Sequence, residues 1–383
     1  MPTARQDNYL LFVIIFSQFA GTSLWFAGNA VIDQLSKTAD HGKMTAVVQF
    51  GFIAGTLLFS LFTIADRFSS KAIFFLSSLL AATANLAIIW LGRVEWQLSL
   101  LRFVTGFFLA GIYPIGMKIA ADLFPQKLGK ALGFLVGALV LGTAFPHFVR
   151  SQLNGIHWKV VLITTSVLAT LGGLLIATQI SSKKKSSPAV TKPDYFAAIH
   201  VFRSPNFRSA AFGYFGHMWE LYAFWSILPL LFAYHNQIAT TQANVYLWSF
   251  IIIAVGAAGC AIGGFFSQKA GSKSVAYFSL LASGICCLLL PIFFKTSMLF
   301  FLVLIIWGLT VTADSPQFSA MVANAVDTNV KGTALAIVTS LGFAITIISI
   351  QLLNRFFISY KEHGLWLLLL GPLFGLLALR KPS

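Results

Sequence analysis

An all-α integral membrane protein, with twelve transmembrane helices in two pseudo-symmetric six-helix bundles, is predicted by three observations. Hydrophobic residues form 57% of the 383-residue chain and charged residues only 10%, too few charges to coat a water-soluble surface. Continuous apolar runs recur along the chain, and at roughly 20 residues per spanning helix its length accommodates about 12 of them. The second half also echoes the first. Displaced by 202 positions, Gly106 falls on Gly308 and Pro114 on Pro316; displaced by 203, Gly129 falls on Gly332 and Ala131 on Ala334. A β-barrel would show short alternating segments in place of these runs.

The apolar runs place spans at 9–33, 43–65, 71–92, 96–124, 129–150, 158–180, 207–234, 243–267, 273–294, 297–325, 332–356 and 363–379. The first has a basic flank but no small-residue cleavage site, so it reads as a helix and not a removed signal. In the fifth, Gly129, Gly133, Gly137 and Gly142 recur at spacings that let helices approach closely. The one long polar stretch, 181–206, carries Lys183-Lys184-Lys185 and reads as a cytoplasmic linker, with a short surface helix from Pro193-Asp194 to Phe202. It divides the chain into an N-terminal bundle, 1–180, and a C-terminal bundle, 207–383.

Net charge is +15, which in a soluble protein would suggest nucleic acid. Here the basic residues sit in the connections between spans. With the N-terminus inside, Arg67, Lys71, the Lys183 run, Lys269, Lys273, Arg380 and Lys381 are cytoplasmic, against fewer on the opposite side, among them Lys37, Arg93, Arg150 and Lys295. Both termini are therefore expected in the cytoplasm, and no nucleic-acid partner is expected. Cys260, Cys286 and Cys287 all lie within apolar runs, which indicates neither a disulfide framework nor a zinc site.

The connection between the second and third spans, Ala65-Asp66-Arg67-Phe68-Ser69-Ser70-Lys71, has a counterpart 202 residues later in Ser267-Gln268-Lys269-Ala270-Gly271-Ser272-Lys273. Asp66-Arg67 with Lys71 resembles the signature of the major facilitator superfamily, although Ser69 stands where glycine is usual and Ser70 where a further basic residue is usual. Arg102-Phe103-Val104-Thr105-Gly106 resembles that superfamily's fourth-helix motif, with Thr105 where Gln is common. The resemblance implies twelve helices in two halves, a conformational latch at Asp66, Arg67 and Lys71, and a role for Arg102 in coupling protons to movement. Without it, Asp66, Arg67 and Lys71 read rather as a solvated loop, because exposed ion pairs contribute little.

A charge in mid-membrane costs at least ~2.5 kcal/mol, so polar residues inside the spans are the informative ones. Glu220 lies near the middle of the seventh span, and His217, three residues before it, shares its helix face. Both can exchange protons, and withdrawal from water favours the neutral form of a carboxyl. A hydrogen-bonded pair locking helices together is the plainer reading. Asp314 lies near the middle of the tenth span, two residues before the helix-loosening Pro316, and its counterpart in the first half is Ile112. It serves either proton coupling or a structural salt bridge.

Arg102 lies toward the outer side, with Asp33 as its expected partner. Lys118, with Asp122 one turn on, offers an anion site or simply snorkels. Trp25 and Asn29, four apart, present an aromatic surface and an amide on one face; Tyr222 and Trp225 are further substrate candidates, with Gln18 beside them. His147 and Arg150 could form an outer gate or anchor at the interface.

These residues point to a secondary active transporter for a small organic solute, working by alternating access and coupled to protons, acting as a monomer in a bacterial inner membrane. There is no Walker motif for direct ATP drive. No cofactor or metal is expected, since no second carboxylate and His set accompanies His217 and Glu220. A membrane enzyme using those two as acid and base lacks a nucleophile constellation. A transporter-like receptor would be expected to carry a signalling tail, and the ends 1–7 and 380–383 are too short for one.

Overall fold

The computed structural model describes residues 4–35, 41–124, 128–152, 157–181, 200–327 and 331–380. Helices α1 (Ala4–Thr22), α2 (Ile32–Leu35), α3 (His41–Leu61), α4 (Ile64–Arg67), α5 (Ser70–Leu91), α6 (Glu95–Leu109), α7 (Tyr113–Leu123), α8 (Leu128–Ser151) and α9 (Lys159–Gln179) make the first six passes. The other six are α10 (Pro205–Ile238), α11 (Val245–Ala270), α12 (Ser272–Ile292), α13 (Ser297–Thr310) with α14 (Ser315–Asn324), α15 (Lys331–Tyr360), and a 3-10 helix Lys361–Leu369 continuing as α16 (Leu370–Arg380). The chain divides into two compact units, Met1–Asp40 with Val47–Pro193, and His41–Ala46 with Asp194–Ser383. Most of the expected linker, 182–199, lies outside the described residues, as does nearly all of its surface helix; its end forms the turn Val201–Arg203.

Among the described residues, nine stretches are long and apolar enough to cross a membrane, and one of them, Lys331–Arg380, is long enough for two passes. The seventh pass falls outside that set because polar side chains dilute it, with Arg208, His217, Glu220, His235 and Asn236 in α10; α1 likewise carries Gln6, Asp7, Asn8, Ser17 and Gln18. In a membrane such residues are retained where they meet a partner or a cavity.

Three passes are broken. The first unwinds over 23–28, between α1 and the short turn Asn29–Val31. The fourth breaks between α6 and α7, and the tenth between α13 and α14, each just ahead of a proline, Pro114 and Pro316, in the first turn of the new helix. Proline lacks the N–H that would continue the preceding ladder and suits a first helical turn. The two breaks are 202 positions apart, as are the two prolines, so the duplication is carried in backbone geometry.

Small residues set the packing beside both breaks. Gly106 in α6 lies against the carbonyl of Val48 in α3, and Gly308 in α13 lies against the carbonyl of Ile252 in α11, approaches that any side chain would block. Hydrogen bonds add to the packing inside each unit. Asn85 Nδ2 of α5 donates to Thr165 Oγ1 (3.2 Å) and Ser166 Oγ (3.0 Å) of α9. In the second unit Trp219 Nε1 of α10 donates to the carbonyl of Leu367 (3.0 Å), and Ser209 Oγ to that of Ala378 (2.9 Å).

Candidate functional site

In the first unit the broken first pass provides a cradle for Arg102. Where α1 stops, backbone carbonyls are released from the helical ladder, and the guanidinium of Arg102 takes them up. Nη1 donates to the carbonyl of Leu24 (3.2 Å), and Nη2 donates to the carbonyl of Trp25 (2.5 Å) and to Asn29 Oδ1 (3.1 Å). The side chain is fully buried, its stem passing over Gly28, and Nε has no hydrogen-bond partner among the described residues. The positive charge is therefore met by carbonyl dipoles and one amide. The carboxylate expected of Asp33 is not among these acceptors, and Asp33 is exposed. Trp25 and Asn29 share this nest. Trp25 is buried against Phe52 with ring centroids 5.0 Å apart, so both residues belong to the wall that holds Arg102.

Lys118 makes a contact with the backbone. Half-buried in α7, it donates to the carbonyl of Ala65, next to Asp66. It thus ties the fourth pass to the connection on which the expected latch sits. There Arg67 is exposed and its Nε donates to Thr63 Oγ1 (3.0 Å), with Thr63 in the left-handed conformation (φ 48°). Lys71 is half-buried, and the side chain of Asp66 lies outside the described residues.

The second unit holds the buried acids. Although His217 and Glu220 share a face of α10, they engage different partners. The Glu220 carboxyl is held by three neutral donors. Ser283 Oγ donates to Oε2 (3.0 Å), Cys287 Sγ to Oε1 (3.3 Å), and Trp307 Nε1 to Oε1 (2.5 Å). Ser283 and Cys287 are four apart on α12 and so share one face. The indole of Trp307 is aimed by stacking on Phe224 of α10, centroids 4.3 Å apart and planes 19° apart. Glu220 is only 1% exposed, and no cation is among its hydrogen-bond or ion-pair partners in the described residues.

His217 pairs instead with Asp314. Its Nδ1 lies 2.9 Å from Oδ1, at ion-pair distance but without the alignment of a hydrogen bond, and both side chains are about 1% exposed. The imidazole sits between Tyr214 and Phe318, centroids at 5.9 and 6.2 Å, and its Nε2 has no hydrogen-bond partner among the described residues. Asp314 is presented by the break in the tenth pass, and α11 fixes that break. Thr312 Oγ1 donates to the carbonyl of Gly256 (2.8 Å), and Cys260 Sγ donates to the carbonyl of Thr312 (3.2 Å). Asp314 and Glu220 also interact electrostatically, so a proton on one is felt by the other.

Tyr222 and Trp225, the other substrate candidates, are buried against each other (5.2 Å), and Tyr222 also meets Phe343 (5.3 Å). Trp225 Nε1 is buried and has no hydrogen-bond partner among the described residues. Among the described residues no group of three or more His, Cys, Asp or Glu could hold a metal.

Sequence reasoning missed the donors to Glu220. Trp307 was visible as the residue before the repeat glycine Gly308, but an indole in an apolar run carries no polar signal. Ser283 and Cys287 were concealed in the same way. A second omission is sharper. Displaced by 202, Glu220 falls on Gln18, an uncharged carboxamide of nearly the same shape. Gln18 is fully buried against Gly116, and neither side-chain polar atom has a hydrogen-bond partner among the described residues.

A family model described as Major Facilitator Superfamily matches residues 63–350. Among curated proteins, the niacin transporter NiaP of Acinetobacter baylyi is 32% identical over 114 residues; the match covers 27% of this chain, and the chain spans about a quarter (26%) of that relative. Among solved structures, a bacterial homologue of the human lysosomal transporter Spinster, inward-facing and unoccupied, superposes with a TM-score of 0.70 at 14% identity. That alignment covers 99% of this chain and 98% of the other, and it establishes the likeness of fold. With three quarters of its length matched by the family model, this chain belongs to the Major Facilitator Superfamily, whose integral membrane fold it shares.

Proposed function

We propose that the protein is a proton-coupled secondary transporter that moves a small organic solute by alternating access. The carrying observation is Glu220, a carboxyl buried in the spanning region and held by neutral donors alone. An ionised carboxylate there carries a desolvation cost that dipoles offset only in part, so taking up and releasing a proton is the chemistry that this arrangement favours. Asp314 with His217 forms a second exchangeable site whose charge bears on the first. A conformational preference follows if the two access states differ in how well they tolerate these charges. Arg102 supplies a fixed positive potential, since a guanidinium keeps its proton.

Trp25, Asn29, Tyr222 and Trp225 remain the aromatic and amide candidates for solute contact, Trp225 with an indole N–H to offer. Lys118, tied to Ala65, joins Asp66, Arg67 and Lys71 as a latch element. The excess of basic residues in alternate connections supports both termini on the cytoplasmic side of a bacterial inner membrane. The partial relative is a niacin transporter, which makes niacin the first solute to try.

The test is uptake into proteoliposomes, with and without an inward pH gradient, for wild type, Glu220→Gln and Asp314→Asn. Accumulation that rises with the gradient in wild type and fails in Glu220→Gln is the expected result. Full gradient-driven accumulation in both variants would refute the coupling assignment.

A further inference from the structure

Three helices of the second unit, α11, α12 and α13, enclose a cavity of about 340 Å³. Its floor is Leu309, in the last turn of α13, and Ala313, within the break that presents Asp314, and its far wall includes Val275 and Ser279 of α12. Gly259 and Gly263 of α11 lie directly against the carbonyls of Leu309 and Ala313, an approach that closes the cavity on that side. The one hydroxyl on its floor, Thr310 Oγ1, is turned to its own helix, donating to the carbonyl of Ile306 (2.8 Å), which leaves that surface apolar. The rim faces outward: Ile262 is 48% exposed, Phe266 55% and Phe278 66%, an apolar surface of the kind that lipid chains cover on a spanning helix.

One end of the cavity is different. Ala270 and Ser274 line it there, and their sequence neighbours Lys269 and Lys273 put two cations at the tight connection between α11 and α12. Lys269 is exposed, and its Nζ lies 5.5 Å from the centroid of the Phe265 ring, so its stem follows the same helix face as the apolar rim. This is the connection that repeats the Asp66–Lys71 segment, with Gln268 where the first copy has Asp66; the acid is gone and the two cations remain.

From an apolar, membrane-facing cavity with cations at one end, we infer a binding site for an anionic phospholipid. One acyl chain fills the space between α11, α12 and α13, and the phosphate is met by Lys269 and Lys273. The chain then lies against Leu309 and Ala313, which places a lipid contact directly behind the break that carries Asp314.

Native mass spectrometry of the purified full-length protein tests this, using phosphatidylglycerol and phosphatidylcholine of matched chains. Wild type is expected to retain phosphatidylglycerol several-fold more tightly than phosphatidylcholine. The variant K269Q/K273Q should bind both about equally, and Val275→Trp, which fills the cavity, should lose the tightly retained lipid while keeping the wild-type melting temperature. Glycerol phosphate in excess should not displace the lipid, because the headgroup alone lacks the chain. Equal retention of the two lipids by wild type, an undiminished preference in K269Q/K273Q, or displacement by glycerol phosphate would each overturn the inference. Should Val275→Trp melt early, Ser274→Trp at the basic end provides the same occlusion from an already half-buried position.

Discussion

Each unit buries charge, and the two do so in opposite ways. In the first, Arg102 is permanently cationic and its neighbours are permanent dipoles: the carbonyls of Leu24 and Trp25, released where the first pass unwinds, and the amide of Asn29. Nothing in that nest changes charge with pH. In the second, Glu220, Asp314 and His217 are all titratable, and the groups around Glu220 are neutral donors that remain neutral whichever state it takes. At the repeat position of Glu220 the first unit has Gln18, the uncharged near-isostere. Duplication thus left two related scaffolds, one built around a fixed charge and the other around groups able to exchange protons, which are the switch in our proposal.

If that division is correct, the largest effect should come from converting the switch into the fixed form. Glu220→Gln makes the second unit resemble the first at this position, and gradient-driven accumulation should fall by about tenfold or more while solute exchange without a gradient persists. Exchange lost together with accumulation would mean that Glu220 is structural. The reciprocal change, Gln18→Glu, should leave a functional gradient response but lower stability, because the new carboxyl enters a site with no donor set provided for it.

Next in size is Arg102→Lys. One ammonium cannot serve three acceptors spread over Leu24, Trp25 and Asn29, so at least one buried carbonyl or amide loses its donor, at a cost of roughly 1–3 kcal/mol. Thermal unfolding in detergent should show this loss at acidic pH, where the buried ammonium that replaces the guanidinium keeps its proton. A variant as stable there as wild type would mean that the carbonyls of the unwound first pass do not depend on Arg102 for their donors.

Architecture was far more legible in the sequence than chemistry, and the reason is period and length. Twelve apolar runs, the 202-residue displacement and the prolines at 114 and 316 are properties of stretches, and they survive without knowledge of neighbours. Glu220, Asp314, His217 and Arg102 stood out because hydrophobicity could not account for them. Their partners did not, because partnership is tertiary. His217 and Glu220 lie on one face yet face different helices, Arg102 reaches carbonyls that no side-chain pattern reveals, and Lys118 reaches the backbone of Ala65. The nearest acid to Arg102 in that reading, Asp33, was chosen by charge alone, whereas an unwound helix provides acceptors without any charge.

The finest distinction concerns the cage around Glu220, where Trp307 has two roles that one substitution separates. Trp307→Phe keeps an aromatic ring to stack on Phe224 and removes only the N–H that Glu220 accepts. The ionised carboxylate gains more from that donor than the protonated acid does, so its loss should fall on the charged state, by roughly 1–3 kcal/mol. The expected readout is a displacement of the pH profile of uptake toward higher pH, because a less stabilised carboxylate keeps its proton longer, with little change in the maximal rate. Cys287→Ser, which exchanges a weak S–H donor for a hydroxyl on the same helix face, should move the profile by less, and in the opposite direction if the hydroxyl reaches Oε1. Cys286→Ser provides the reference: it is buried beside Cys287 but makes no hydrogen bond to Glu220 among the described residues, so its profile should coincide with wild type. A Trp307→Phe profile that also coincides with wild type would mean that the carboxyl is not the group whose proton drives the cycle, and the switch would then have to be sought at Asp314 and His217.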